Sequence, residues 1–174
     1  MKFKFPSESV ITMTHLVLPN DTNYHGNLIG GQLMYWMDIA AGMTASKHSN
    51  TLCVTASVDH LRFKTPIKLG NLVHLESKIV RAFSSSMEIY IKVTGEDVIE
   101  KRKYESHEAF FTFVSVDAET HPIKVPDVMP ETELEKSMFE DAIKRRELRL
   151  VMAGKIKPDE ALSLKNIFSL KNLY

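Results

Sequence analysis

One segment limits the possible folds more than any other. Between Gln32 and Lys47, the residues Leu33, Met37, Ala40, Ala41 and Thr44 recur at steps of three and four, which predicts one helix with a wide apolar stripe. His48 to Asn50 ends it. The segments around it follow a different period. Val10 to Leu18 is rich in Val, Ile, Thr and Leu and closes at Pro19-Asn20-Asp21, a strand followed by a turn. Leu52, Val54, Ala56 and Val58 alternate with more polar neighbours up to Lys64-Thr65-Pro66. Val73 to Ile79 and Met87 to Val93 alternate in the same way. His107 to Val116 is apolar at nearly every position, as a strand covered on both faces would be. Gly70-Asn71 and Ser84-Ser85-Ser86 are short enough to close hairpins, so an antiparallel sheet is expected. An apolar helix beside such a sheet is buried only if the curved sheet wraps it, which is an α+β arrangement. The sheet edges this leaves open are expected to pair between two copies of the chain.

The rest of the chain is more polar. Asp117 to Pro130 contains three prolines and reads as an extended connector. Glu131 to Met152 is a charged helix with Leu134, Met138, Phe139, Ala142 and Ile143 as its apolar line, ended by Gly154. Pro158 opens a last short helix, with Leu162, Ile167, Leu170 and Leu173 available for docking. The organisation expected is a domain over residues 1–130 and a C-terminal helical extension over 131–174. Lys plus Arg and Asp plus Glu both number 22, so bulk charge favours neither nucleic acid nor an anionic membrane as partner. The most apolar stretch, Leu28 to Met43, is broken by Gln32 and Asp38 and is too short to span a bilayer. Met1 to Pro6 has no apolar core of a secretory signal. The single Cys53 excludes an internal disulfide and a multi-cysteine metal site. These features lead us to expect a soluble protein in the reducing cytoplasm.

Asp38 is the residue that fits its surroundings least. On a helix it neighbours Met34 and Tyr35 one turn back and Ala41 and Gly42 one turn on. It either points to solvent or sits in a partly desolvated pocket, where its pKa would rise and suit it to act as a general base. Gly30 and Gly31 lie just before the apolar stripe. They either ease the entry into the helix or leave bare N–H groups for an oxyanion. Gly31 and Asp38 are two turns apart, so they share one helix face. Asn23 and Asn27 lie in the polar loop upstream, where Asn usually serves turn chemistry. The seven histidines show no metal-ligand spacing, and Cys53 reads as a packed thiol.

Taken together, Leu18-Pro19-Asn20-Asp21-Thr22-Asn23, Gly26-Asn27-Leu28-Ile29-Gly30-Gly31-Gln32-Leu33-Met34 and Met37-Asp38 resemble the hotdog-fold acyl-CoA thioesterases, in the branch of cytosolic acyl-CoA hydrolases. Val54-Thr55-Ala56-Ser57-Val58-Asp59, Phe63, Pro66-Ile67, Gly70, Ser85-Ser86-Met87 and Phe111-Thr112-Phe113-Val114 continue the pattern, over roughly residues 8–130. The resemblance implies a hotdog fold, a curved antiparallel sheet around one long central helix. It implies that Asp38 is the catalytic carboxylate and that Gly30 or Gly31 supplies the oxyanion donor. Asn27 matches an Asn used by some relatives, whereas others carry Asp there. Asn23 matches an Asn that polarises the thioester in a more distant branch, and Ser57 matches a serine that positions water there. Each site would be built from two subunits, with dimers assembling into a hexamer, a trimer of dimers.

The implied reaction is hydrolysis of fatty acyl-CoA to fatty acid and CoA. Asp38 would activate water, or attack the thioester itself through an anhydride. No metal or cofactor is required, because CoA is part of the substrate. Arg62, Lys64 and Arg81, with Ser85 and Ser86, are the candidates for contacting CoA. A non-hydrolytic acyl-CoA sensor on the same scaffold is the alternative. A hotdog dehydratase would need a His paired with a carboxylate, and no such motif is present.

Overall fold

The structure, a computed structural model, describes residues 3–164. Chain contacts divide the protein into two compact units, Met1–Met129 and Pro130–Tyr174. The first unit holds two very short strands, β1 (Phe3–Lys4) and β7 (Asp127–Val128), paired in parallel. Its main sheet comprises β2 (Ile11–Leu16), β3 (Leu52–Phe63), β4 (Leu72–Ala82), β5 (Ser86–Asp97) and β6 (Arg102–Val116). All neighbours are antiparallel, in the order β2-β4-β5-β6-β3.

The one α-helix among the described residues of this unit, α1 (Gly30–Ser49), packs against all five strands of the main sheet. It buries Leu33, Trp36, Met37, Ala40, Ala41, Thr44 and Ala45, the stripe expected from the spacing. Each large apolar side chain so buried contributes roughly 1.5–3 kcal/mol. Ala40 and Ala41, fully buried, bring the helix backbone close to the sheet. Trp36 stacks on His15 of β2 at 4.2 Å. The helix ends at Asn50, whose left-handed backbone (φ 57°) turns the last N–H back to the Ser46 carbonyl. It begins two residues earlier than the apolar spacing suggests, so Gly30 and Gly31 form its first turn.

One sheet connection differs from expectation. The Gly70-Asn71 turn does not join two paired strands: β3 lies beside β6 at one edge, and β4 lies beside β2 and β5. β6 is the longest strand of the sheet and is paired on both edges. β5 covers one side and β3 the other. Gly70 (φ +81°) and Asn71 instead clasp the end of β2, exchanging backbone bonds of 3.0 Å with Val17. β3 is therefore an edge strand, and its Leu52 and Val54 are 67% and 48% exposed in the chain. The Ser84-Ser85 turn does close the β4–β5 hairpin, and residues 117–130 form the expected extended connector, with β7 inside it.

In the second unit, α2 (Glu133–Met152) opens with a capping box, Thr132 and Glu135 each bonding the other's backbone N–H. Ala142 is buried as expected, but Leu134 is 70% exposed. Residues 158–164 form turns rather than the helix expected from Pro158, and Leu162 is exposed. Glu147 holds this segment by accepting both the N–H and the hydroxyl of Ser163. Ile167, Leu170 and Leu173 lie outside the described residues. Among the described residues, no helix is long and apolar enough to cross a membrane.

Candidate active site

Ile29 precedes α1 without a side-chain cap, so the first-turn N–H groups of the helix are left without a side-chain acceptor. The loop in front of them is stitched on two sides. Asn23 Oδ1 accepts the N–H groups of His25 (2.9 Å) and Asn27 (3.2 Å), the turn chemistry expected of such an Asn. Ile29 N–H donates to the Asp21 carbonyl, Leu28 N–H to Ile67, and Leu69 N–H to Gly26. The segment reached by those bonds is itself tied to β6. Lys64 N–H donates to the Ser106 carbonyl, and the Ser106 hydroxyl donates to the Thr65 carbonyl at 2.5 Å. A further clamp depends on Gly95. A Cβ there would collide with the Tyr104 ring, and the Tyr104 hydroxyl accepts a bond from Asn71 Nδ2 at 3.0 Å.

These ties enclose an open cavity of about 240 Å³ at the start of the helix. Asn23, Asn27 and Gly30 line it, with Leu28, Leu33, Phe63, Lys64 and Ile67. The Asn27 side chain is half-buried, and among the described residues its amide has no hydrogen-bond partner. Gly30 is closely packed here, because a Cβ would sit 3.2 Å from the Phe63 ring, which would have to give by a few tenths of an ångström. Gly31 faces open space. His107 also lines the cavity, and the sequence reading missed it. Burial pushes its pKa down to about 4, and its Nδ1 lies 2.6 Å from Ser106 Oγ. The available signal was a histidine opening an otherwise apolar strand.

Asp38 is not part of this cavity. It is half-buried on the side of α1 that meets β3, where Thr55 Oγ1 donates to its Oδ1 at 2.8 Å. Thr55 is the second residue missed. Ser57, expected to position water, instead donates to Asp59 Oδ2 at 3.2 Å, and the register shift between Thr55 and Ser57 separates the two hydroxyls. One chain thus holds Asn23, Asn27 and Gly30 in one place and Asp38 with Thr55 in another.

The basic candidates also divide. Lys64 and Arg62 both face Glu108, at 3.0 and 3.8 Å, and Lys64 is the main reason that the Glu108 carboxyl titrates below its ordinary range. Arg81, Ser85 and Ser86 lie at the opposite end of the sheet, with Arg81 over the Phe83 ring and Ser86 paired with Val114. The six residue steps of β6 from Glu108 to Val114 span about 20 Å at ~3.3 Å per residue, so within one chain Lys64 and Ser86 cannot meet one phosphate. Elsewhere, Asp117, Glu119 and His121 come within 4.8 Å of one another on an exposed turn. There Asp117 Oδ1 already accepts two backbone N–H groups.

Residues 25–100 match the family model of the thioesterase superfamily. The uncharacterised acyl-CoA thioester hydrolase YkhA of Bacillus subtilis is 38% identical over 82% of this chain and 83% of its own. The chain belongs to the hotdog acyl-CoA thioesterases. Within that family, the acyl-CoA hydrolase of Staphylococcus aureus, solved with butyryl-CoA, CoA and CoA disulfide, superposes with a TM-score of 0.81 at 35% identity, covering 88% of this chain and 95% of that one. An apo-hexameric acyl-CoA thioesterase matches with a TM-score of 0.85 at 36% identity over 88% and 98% of the two chains. Mouse acyl-coenzyme A thioesterase 11 is 40% identical over 89% of this chain. This chain spans only 26% of that mouse protein and 36% of the rat cytosolic acyl coenzyme A thioester hydrolase.

Proposed function

We propose that the protein hydrolyses fatty acyl-CoA to free fatty acid and CoA at a site completed by two subunits. The observation that carries this reading is the Asp38–Thr55 pair: a half-buried carboxylate amid the apolar run Leu33–Met43 of α1, held by one hydroxyl. Asp38 takes the proton from an attacking water. The first-turn N–H groups at Gly30 and Gly31 receive the carbonyl oxygen as it gains charge. Asn27, and the Asn23 amide nitrogen, orient the thioester from the partner chain's cavity. Thr55 rather than Ser57 fixes the carboxylate, which leaves Ser57 a supporting place in β3. No cofactor is needed beyond the CoA that the substrate carries.

The relatives support this reading. The Staphylococcus aureus hydrolase was characterised with an asparagine, an aspartate and a threonine each changed to alanine, and these are spaced along that chain as Asn23, Asp38 and Thr55 are along this one. Assembly of dimers into a hexamer is proposed on the same footing, since structural neighbours are hexameric thioesterases. A cytoplasmic location is proposed because relatives are named cytosolic hydrolases. Incubation with a series of acyl-CoAs and a thiol-reactive dye tests the activity directly. Release of free CoA is the expected result, and binding without release would leave a sensor instead.

A further inference from the structure

His107 has no place in the mechanism above, yet it lines the cavity that holds Asn23, Asn27 and Gly30. Its ring is fixed. Phe63 meets it edge-on at 5.0 Å and 81°, and Nδ1 lies 2.6 Å from Ser106 Oγ. The Ser106 hydroxyl has one proton, which goes to the Thr65 carbonyl at 2.5 Å. Ser106 can therefore only accept from His107, which assigns the ring proton to Nδ1 and the lone pair to Nε2. Burial keeps the ring neutral, with a pKa of about 4. A neutral acceptor would repel the thioester oxygen that the helix N–H groups attract. It suits an N–H or O–H partner, and the cavity it shares sets Leu28, Leu33 and Phe63 beside Asn23, Asn27 and Lys64.

We infer that His107 Nε2 accepts a hydrogen bond from the pantetheine amide nearest the thioester sulfur, so that this cavity recognises the thiol carrier rather than the acyl group. The inference rests on the acyl-CoA reading. An arm of alternating methylene and amide groups matches a cavity whose apolar walls, Leu28, Leu33 and Phe63, stand beside a fixed acceptor. His107 acts in binding and positioning, and the proton chemistry stays with Asp38.

Three substrates with one acyl group test it: the acyl-CoA, the N-acetylcysteamine thioester, which keeps the amide nearest sulfur, and the S-ethyl thioester, which has none. In His107→Leu, kcat/KM should fall about tenfold for the first two and stay unchanged for the third, the loss of one neutral hydrogen bond. For acyl-CoA the loss should lie in KM, with kcat within about twofold. His107→Gln, which keeps an acceptor, should recover most of it. An equal loss on all three substrates, or a loss on none, overturns the assignment. The nitrogen NMR signal of His107 Nε2 in the wild-type protein gives a check that needs no variant. It should move on adding pantetheine and stay in place with the adenosine bisphosphate half of CoA. A signal unmoved by pantetheine overturns the inference even if His107→Leu does not fold. A wild-type protein that releases no CoA from any acyl-CoA overturns the underlying reading instead.

Discussion

The cavity at the start of α1 and the Asp38–Thr55 pair farther along the same helix are built to different standards. Around the cavity, the upstream loop, the 64–69 segment and β6 are tied by a chain of backbone and side-chain bonds, each between 2.5 and 3.3 Å. Gly30 leaves room for the Phe63 ring that lines the cavity, and Gly95 leaves room for the Tyr104 ring in the adjoining strands. The second region has one hydrogen bond and sits against an edge strand with two register shifts and exposed Leu52 and Val54. One half is finished within the chain. The other is open toward an unpaired sheet edge, where a strand readily acquires a partner. On the function proposed above, a site divided in this way would separate two tasks, with the finished half holding the substrate and the open half supplying the reacting carboxylate.

The largest expected effect breaks the open half alone. Asp38→Asn removes the base and keeps the shape, so kcat should fall by roughly a hundredfold or more, the usual scale of general-base catalysis. CoA binding and the unfolding midpoint should be preserved, since the cavity is built from other residues. A folded Asp38→Asn variant with near-normal kcat would remove Asp38 from the mechanism.

The finished half is where pH should register. Burial lowers the pKa of His107 to about 4 and also lowers those of His15 and His48. Each folded-state value lies below the ordinary 6.5, so between the two the unfolded chain binds more protons. The stability from keeping His107 neutral is therefore full above about pH 6.5 and is lost as pH falls towards 4. For His107 this is on the order of 2–3 kcal/mol. Urea unfolding at pH 7 and pH 4.5 measures it. The drop in midpoint should be clearly smaller in His107→Gln than in the wild type, and equal drops would show that His107 titrates normally.

Reading along the chain served the two regions unequally for physical reasons. The stripe from Leu33 to Thr44 and the apolar run of β6 were legible because each carries its period within one element. Asp38 was legible as a charge that interrupts such a stripe. The place of β3 was not, because the Gly70-Asn71 turn looks the same whether it closes a hairpin or clasps Val17. The long-range pairing of β3 with β6 decides between them, and no local signal in the turn reports it. Thr55 was missed because threonine is ordinary in a strand, and its partner lies across the fold on α1. His107 looked like the polar first residue of a core strand. Its role follows from Ser106 and Thr65, and the latter is distant in sequence.

Mixing two inactive variants sharpens the comparison, because it asks whether the two halves meet across subunits. Asn27→Ala damages the cavity and Asp38→Ala the open pair. Unfolded together and reassembled at random, half of the dimers are mixed, and each mixed dimer has one site with neither lesion. Roughly a quarter of wild-type activity should return, given independent sites. If one chain supplies both residues, every site stays damaged. Mixed dimers confirmed by mass without recovered activity would reject the shared site and leave the thioesterase reading standing.

The smallest effect concerns Thr55, the donor to Asp38 at 2.8 Å. Thr55→Val keeps the size and branching of the side chain and removes its hydroxyl, so β3 and its pairing with β6 should persist. A hydrogen bond to a charged acceptor contributes about 1.5–3 kcal/mol, but Asp38 is only half-buried and water can replace part of it. The expected loss in kcat is therefore about tenfold, well short of that for Asp38→Asn. Two further variants separate positioning from simple structural support. Thr55→Ser, which restores the donor, should bring back most of the activity. In the Asp38→Asn background, Thr55→Val should cost almost nothing more, because the carboxylate it positions is already gone. If the two losses multiply instead, Thr55 acts on the strand rather than on Asp38, and the open half of the site has no fixed geometry within the chain.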